Sequence, residues 1–135
     1  MTMKREEILE FCSRWLHAWE GNKPGDLIEF YSDDPLYIDP ANKKGLKGRE
    51  RIFAYFKKLL SANPSWKWEA IQVFPTNLGF VAKWKATIPV GAETITEYGM
   101  DIVEIEGGKI AKNEVYFNLS QIHEALRRPG SVIER

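Results

Sequence analysis

One cysteine and two histidines are all that this 135-residue chain offers a transition metal. Cys12 has no partner for an intrachain disulfide, and with only His17 and His123 beside it neither a Cys/His zinc site nor any cofactor is expected. Net charge is missing too. The 19 Lys+Arg balance 19 Asp+Glu, so no overall field draws in nucleic acid or an anionic membrane, and neither is expected as a partner. No run of roughly 18 apolar residues occurs, which leaves no candidate for a transmembrane helix. The start, Met1-Thr2-Met3-Lys4-Arg5-Glu6-Glu7, turns acidic where a signal peptide turns apolar, so a soluble, cytoplasmic protein is expected. Repeats, low-complexity tracts and long linkers are absent as well. Residues 1–135 therefore read as one domain.

Aromatic residues are abundant. They make up 13% of the chain, five of them Trp, within a hydrophobic content of 44%. That excludes disorder and promises either a large core or an aromatic-lined cavity. Residues 4–20 carry Ile8, Phe11, Cys12, Trp15 and Trp19 at spacings of three and four, the period of an amphipathic helix. Gly21, Pro24 and Gly25 break it, and a short second helix follows, ending near Tyr31. Residues 35–39 alternate and close on Pro40, which predicts a strand or an extended arm. Residues 45–48 read as a polar turn. Residues 49–62 read as a third helix burying Ile52, Phe53, Phe56, Leu59 and Leu60.

From Trp66 the period changes to two. Strands are predicted over 66–74, 79–89, 93–106 and 109–118, with breaks short enough for hairpins, then a helical turn or two over 120–127. Helices followed by hairpin-linked strands give an α+β fold, an antiparallel sheet with helices over one face. Phe80, Ala82, Trp84, Ala86 and Ile88 form the natural covered face of their strand. Val115, Phe117 and Leu119 alternate with Glu114, Tyr116 and Asn118 on the last one.

At this point one motif and the order of elements look like a family. The run Phe30-Tyr31-Ser32-Asp33-Asp34-Pro35-Leu36-Tyr37-Ile38-Asp39-Pro40, followed by Gly48-Arg49-Glu50 and an apolar helix, resembles the SnoaL-like branch of the nuclear transport factor 2-like superfamily. That superfamily includes ketosteroid isomerases, SnoaL-like polyketide cyclases and limonene epoxide hydrolases. Residues 99–110, with their Gly-Lys turn, resemble its penultimate strand and the start of its last. The resemblance covers nearly the whole chain. It implies a curved antiparallel sheet wrapped by three N-terminal helices into a conical apolar pocket, the cystatin-like fold. It also implies a homodimer pairing through the outer sheet face, where Tyr98, Met100, Ile102 and Tyr116 leave more apolar surface than a solvated sheet needs.

The chemistry implied is cofactor-free, isomerase- or cyclase-type acid–base work on a small hydrophobic carbonyl compound. The alternative is a non-catalytic ligand-binding or dimerisation module on the same fold. Asp39 shares a strand face with Tyr37 and falls where ketosteroid isomerases keep their carboxylate base; the competing reading is an Asp-Pro turn facing water. Asp101 falls where those enzymes place a protonated aspartic acid in the oxyanion hole, or else it sits outward at a wet edge. Trp15 stands where they carry a tyrosine. An indole N–H donates one hydrogen bond but is less acidic than a phenol, so Trp15 reads equally as a wall of core or pocket. Trp15, Tyr37, Trp84, Val115 and Phe117 are the expected substrate-binding walls. Of the strand tryptophans, Trp66, Trp68 or Trp84 is expected to line the cone, with Phe80 and Ala82 beside Val115 and Phe117. The epoxide hydrolase triad is not expected, since its last-strand aspartate falls near Val115 and no Arg-x-Asp pair stands around Lys83-Trp84-Lys85. His17 is expected to face solvent or a subunit contact, and His123 to lie on the tail helix, in reach of the cone's open end.

Overall fold

The structure, a computed structural model, describes residues 2–118 and 120–127 and, of residues 123 and 126, the backbone alone. The three-and-four spacing of the first segment becomes α1 (Arg5–Ala18), which buries Ile8, Phe11, Cys12, Trp15 and Leu16 along one side. Glu7 caps its start by accepting the Lys4 N–H at 2.9 Å. A short α2 (Pro24–Ile28), with proline in its first turn, leads into β1 (Tyr31–Asp39) and β2 (Asn42–Lys47). Helix α3 (Arg49–Ala62) starts from Gly48, whose φ of +100° is a region few side-chain-bearing residues enter. The rest is β3 (Lys67–Pro75), β4 (Gly79–Val90), β5 (Glu93–Glu106), β6 (Lys109–Phe117) and α4 (Ser120–Leu126).

One six-stranded open sheet runs in the order β2-β1-β6-β5-β4-β3. Strands β3 to β6 form an antiparallel meander, and β1 pairs antiparallel with β2. Two features differ from the sequence reading. Residues 45–48 belong largely to β2 rather than to a free turn: its sequence, Asn-Lys-Lys-Gly-Leu-Lys, has no period of two to read because it is a polar edge strand. The sheet is also mixed rather than wholly antiparallel. β1 runs parallel to β6, Tyr37 standing opposite Asn113, and hairpin spacing cannot announce a pair between opposite halves of a chain.

Helices α1 to α3 cover one face. Beneath them Phe80, Ala82, Trp84, Ala86 and Ile88 of β4 are buried, as their alternation predicts. Phe11 and Trp15 of α1 reach Phe80 with ring centroids at 5.7 and 6.1 Å. Phe56 of α3 packs on Tyr31 and Tyr37, each at 5.3 Å. Such aromatic pairs contribute about 1 kcal/mol each beyond the area they bury. On the opposite face Tyr98, Met100, Ile102 and Tyr116 are exposed. No helix among the described residues is long and apolar enough to cross a membrane, and no group of His, Cys, Asp and Glu there is placed to hold a metal.

Candidate functional site

Between the helices and the sheet lies a cavity of about 170 Å³. Its walls are aromatic by position: Trp19 just past α1, Tyr37 on β1, Tyr55 on α3, Trp66 just before β3 and Trp68 within it, Trp84 on β4 and Phe117 on β6. Leu16, Leu59, Leu60 and Val115 fill the gaps between the rings. Glu20 fixes one wall by accepting the Trp68 backbone N–H at 2.9 Å. Two carboxylates, Asp39 and Asp101, line this same space, and no Lys, Arg or His does so among the described residues.

Asp39 ends β1 and is buried. Its Oδ1 accepts the backbone N–H groups of Ala41 at 3.0 Å and Asn42 at 2.8 Å, and the Asn42 side-chain amide at 2.9 Å. This is the Asx-type closure by which an aspartate sets a tight corner, here the turn from β1 into β2. Its Oδ2 accepts the Tyr37 hydroxyl at 3.0 Å and the Tyr55 hydroxyl at 2.6 Å. Burial first, and then the neighbouring Asp39 carboxylate, hold both phenols above their ordinary ionisation range. Every partner donates, so both oxygens of the carboxylate are engaged as acceptors.

Asp101 is built differently. On β5 it stands opposite Ala82, with Gly99 opposite Trp84. A Cβ at Gly99 would lie 2.5 Å from the Trp84 ring, so the glycine is what leaves room for the indole there. Thus seated, Trp84 donates its Nε1–H to Asp101 Oδ1 at 3.0 Å. Asn113 of β6 donates its amide to Oδ2 at 3.3 Å, and its own oxygen accepts the Tyr31 hydroxyl at 2.8 Å. These hydrogen bonds favour the charged form, but burial outweighs them, and with Asp39 nearby the carboxyl is pushed up to about 7.

Of the residues named from sequence, Tyr37, Asp39, Trp66, Trp68, Trp84, Asp101, Val115 and Phe117 line this cavity. Phe80 and Ala82 are buried beside it without lining it. Trp15 is not on its wall. It is fully buried behind, packed between Phe11, Trp19 and Phe80, with its indole N–H unpartnered among the described residues. His17 is exposed and lies 3.5 Å from Glu20. The His123 side chain and Leu119 lie outside the described residues. Sequence reasoning missed Tyr55, Asn113 and Tyr31. Asn113 carried a usable signal: it precedes Val115 by two on an apolar strand face, and a buried amide there needs partners.

A family model described as a SnoaL-like domain matches residues 12–113. Sequence comparison with curated proteins finds no match. Among solved structures, a candidate SnoaL-like polyketide cyclase from a Jannaschia species is 15% identical, with a TM-score of 0.75 over 94% of this chain and 99% of that one. A protein of ketosteroid isomerase-like fold from Catenulispora acidiphila, in complex with trimethylamine, is 18% identical, with a TM-score of 0.72 over 82% and 87%. TerC, co-crystallised with polyporic acid, is 11% identical, with a TM-score of 0.73 over 88% and 97%. Identities this low speak for the fold alone.

Proposed function

The chain belongs to the SnoaL-like domain family, and we propose that within it the protein binds a small, flat, mostly apolar molecule and exchanges protons with it in the aromatic cavity. The observation that carries this reading is Asp101: a carboxyl pushed up to about 7, facing an apolar space it shares with a second carboxylate. A group with that pKa holds both protonation states at neutral pH, which suits it to give or take a proton in turnover. In its acid form Asp101 donates to a carbonyl oxygen while Asp39 takes the proton from the adjacent carbon. Tyr37, Trp84, Val115 and Phe117 grip the ring, and Trp15 backs the wall from the core. The step as written uses no cofactor. The cavity matches a single ring, since an engineered site of about 150 Å³ accepts benzene. The trimethylamine and polyporic acid held by two neighbours support a small organic occupant.

A second reading, a binding module without turnover, draws on Asp39. Its commitment to the β1–β2 corner means that abstracting a proton competes with five donors. Hydrogen–deuterium exchange separates the two. Cyclohexenone incubated with the protein in D₂O should exchange its enolisable hydrogens faster than in buffer, and Asp101→Asn or Asp39→Asn should remove about a hundredfold of that acceleration. Cyclohexenone that binds without exchange leaves the module reading; cyclohexenone that neither binds nor exchanges overturns both for carbonyl ligands. We also infer a homodimer through the exposed Tyr98–Met100–Ile102–Tyr116 face, and a cytoplasmic setting in which Cys12 stays a buried thiol.

A further inference from the structure

We infer that the occupant of the cavity is an organic cation, a small molecule whose quaternary or tertiary ammonium group sits among the tryptophan rings beside Asp39 and Asp101. This rests on the small-molecule-binding reading above, and does not need the proton-transfer step.

Two buried carboxylates share one cavity, and among the described residues every donor that reaches them is neutral: two backbone N–H groups, two asparagine amides, two phenols and an indole. Isolated buried anions are costly, and proteins ordinarily pair them. Among the described residues no cation lines this space, so the compensating charge is left to the ligand or to a proton on Asp101.

The walls suit a cation as well. Trp68 and Trp84 stand nearly perpendicular at 4.9 Å, Trp66 and Trp68 are tilted by 51° at 5.7 Å, and Phe117 stands at 64° to Trp84. These rings pack on one another and so hold the wall rigid, and with Trp19, Tyr37 and Tyr55 they line the cavity with the aromatic surface that attracts methylated ammonium groups. The carboxylate oxygens already receive N–H and O–H donors, which a bare metal ion would have to displace, whereas an alkylammonium needs only the field and the faces. A volume of about 170 Å³ also suits a group of that size.

The two carboxylates also bear on their titratable neighbours. Asp101 adds to the burial that raises Cys12 on α1 and Tyr31 and Tyr37 on β1, and Asp39 does the same to Tyr55 on α3. All four are raised away from neutrality, so of these groups Asp101 is the one that changes charge around pH 7. A bound cation favours its ionised form, and affinity should therefore rise with pH through that region.

Calorimetry on the full chain at constant ionic strength tests this with two probes of one shape, choline and its carbon isostere 3,3-dimethylbutan-1-ol. Near pH 8 choline should bind at least about tenfold more tightly, and the preference should shrink near pH 5.5. Asp101→Asn should lower the choline-to-alcohol ratio at pH 8. If the alcohol binds as tightly as choline, the charge inference fails while the small-molecule reading stands; if neither binds, the charge inference fails and the cyclohexenone experiment decides the small-molecule reading. Because both probes and both pH values are read on the unaltered protein, a variant that does not fold leaves the test intact.

Discussion

Replacing Asp101 by Asn should make stability depend less on pH, and the direction is the opposite of what a surface carboxylate gives. Burial lifts its pKa from 3.8 to about 7. Below about pH 4 the folded and unfolded chains both hold the proton, and the group costs nothing. Between about pH 4 and 7 the unfolded chain releases it while the folded one keeps it, so stability falls as pH rises. At about 1.4 kcal/mol per pH unit, the ionisation penalty levels off near 4 kcal/mol above pH 7. The amide removes that penalty but keeps only one acceptor for the Trp84 and Asn113 donors, at a cost of about 1–3 kcal/mol. Asp101→Asn should therefore stabilise the protein by roughly 1–3 kcal/mol near pH 8 and be neutral or destabilising near pH 4.5. Other titrating groups cancel when the variant is compared with the parent at each pH. The swing of about 3 kcal/mol corresponds to about 10 °C in the Tm difference for a domain this size, within reach of thermal melts followed by circular dichroism. An offset equal at both pH values would refute the reasoning, because it would mean that Asp101 ionises as freely folded as unfolded.

Asp39→Asn should act with the other sign, lowering stability by about 2–4 kcal/mol at pH 7, because charge-assisted hydrogen bonds to the β1–β2 corner and to two phenols are weakened together. A urea midpoint that holds or rises removes its anchoring role. Gly99→Ala should lower Tm by several degrees and disturb the near-ultraviolet tryptophan signal, since the new Cβ meets the Trp84 ring at 2.5 Å and the Tyr116 carbonyl at 2.6 Å. Unchanged melting would mean the strands part at little cost. In sedimentation at micromolar concentration the protein should run as a dimer of its 15.6 kDa chain, and Met100→Glu should halve the mass; a single monomeric species for the unaltered protein counts against the outer-face interface.

Much of the framework was readable from periodicity alone. The third helix and the long β5 have the same limits in sequence and structure, because Gly48, Asn63-Pro64 and the Gly107-Gly108 turn punctuate strong apolar patterns. The inward set of β4 and the shared face of Tyr37 and Asp39 followed from alternation. What escaped was whatever depends on partners distant in sequence. Nothing in residues 42–47 declares a strand until β1 lies beside them. The Tyr55 hydroxyl reaches Asp39 only once α3 has packed, and Asn113 acquires its role from Tyr31 and Asp101 together. Trp15 was ambiguous for a related reason. Helical spacing tells which side of α1 is buried, but not whether that side meets cavity or solid core.

The parallel pairing of β1 with β6 has a kinetic consequence. The meander from β3 to β6 is assembled from neighbouring hairpins with short loops to close, whereas Tyr37 finds Asn113 only after most of the chain has been threaded between them. The first half of the molecule should therefore dock late, onto a hairpin sheet already formed. Asp101, Trp84 and Phe117 come from the early unit; Trp19, Tyr37, Asp39 and Tyr55 arrive with the late one. The cavity is the seam between them. A ligand seated in that seam holds the two units closed, so it should slow unfolding far more than it speeds folding, lengthening the lifetime of the native state as the unliganded fraction falls.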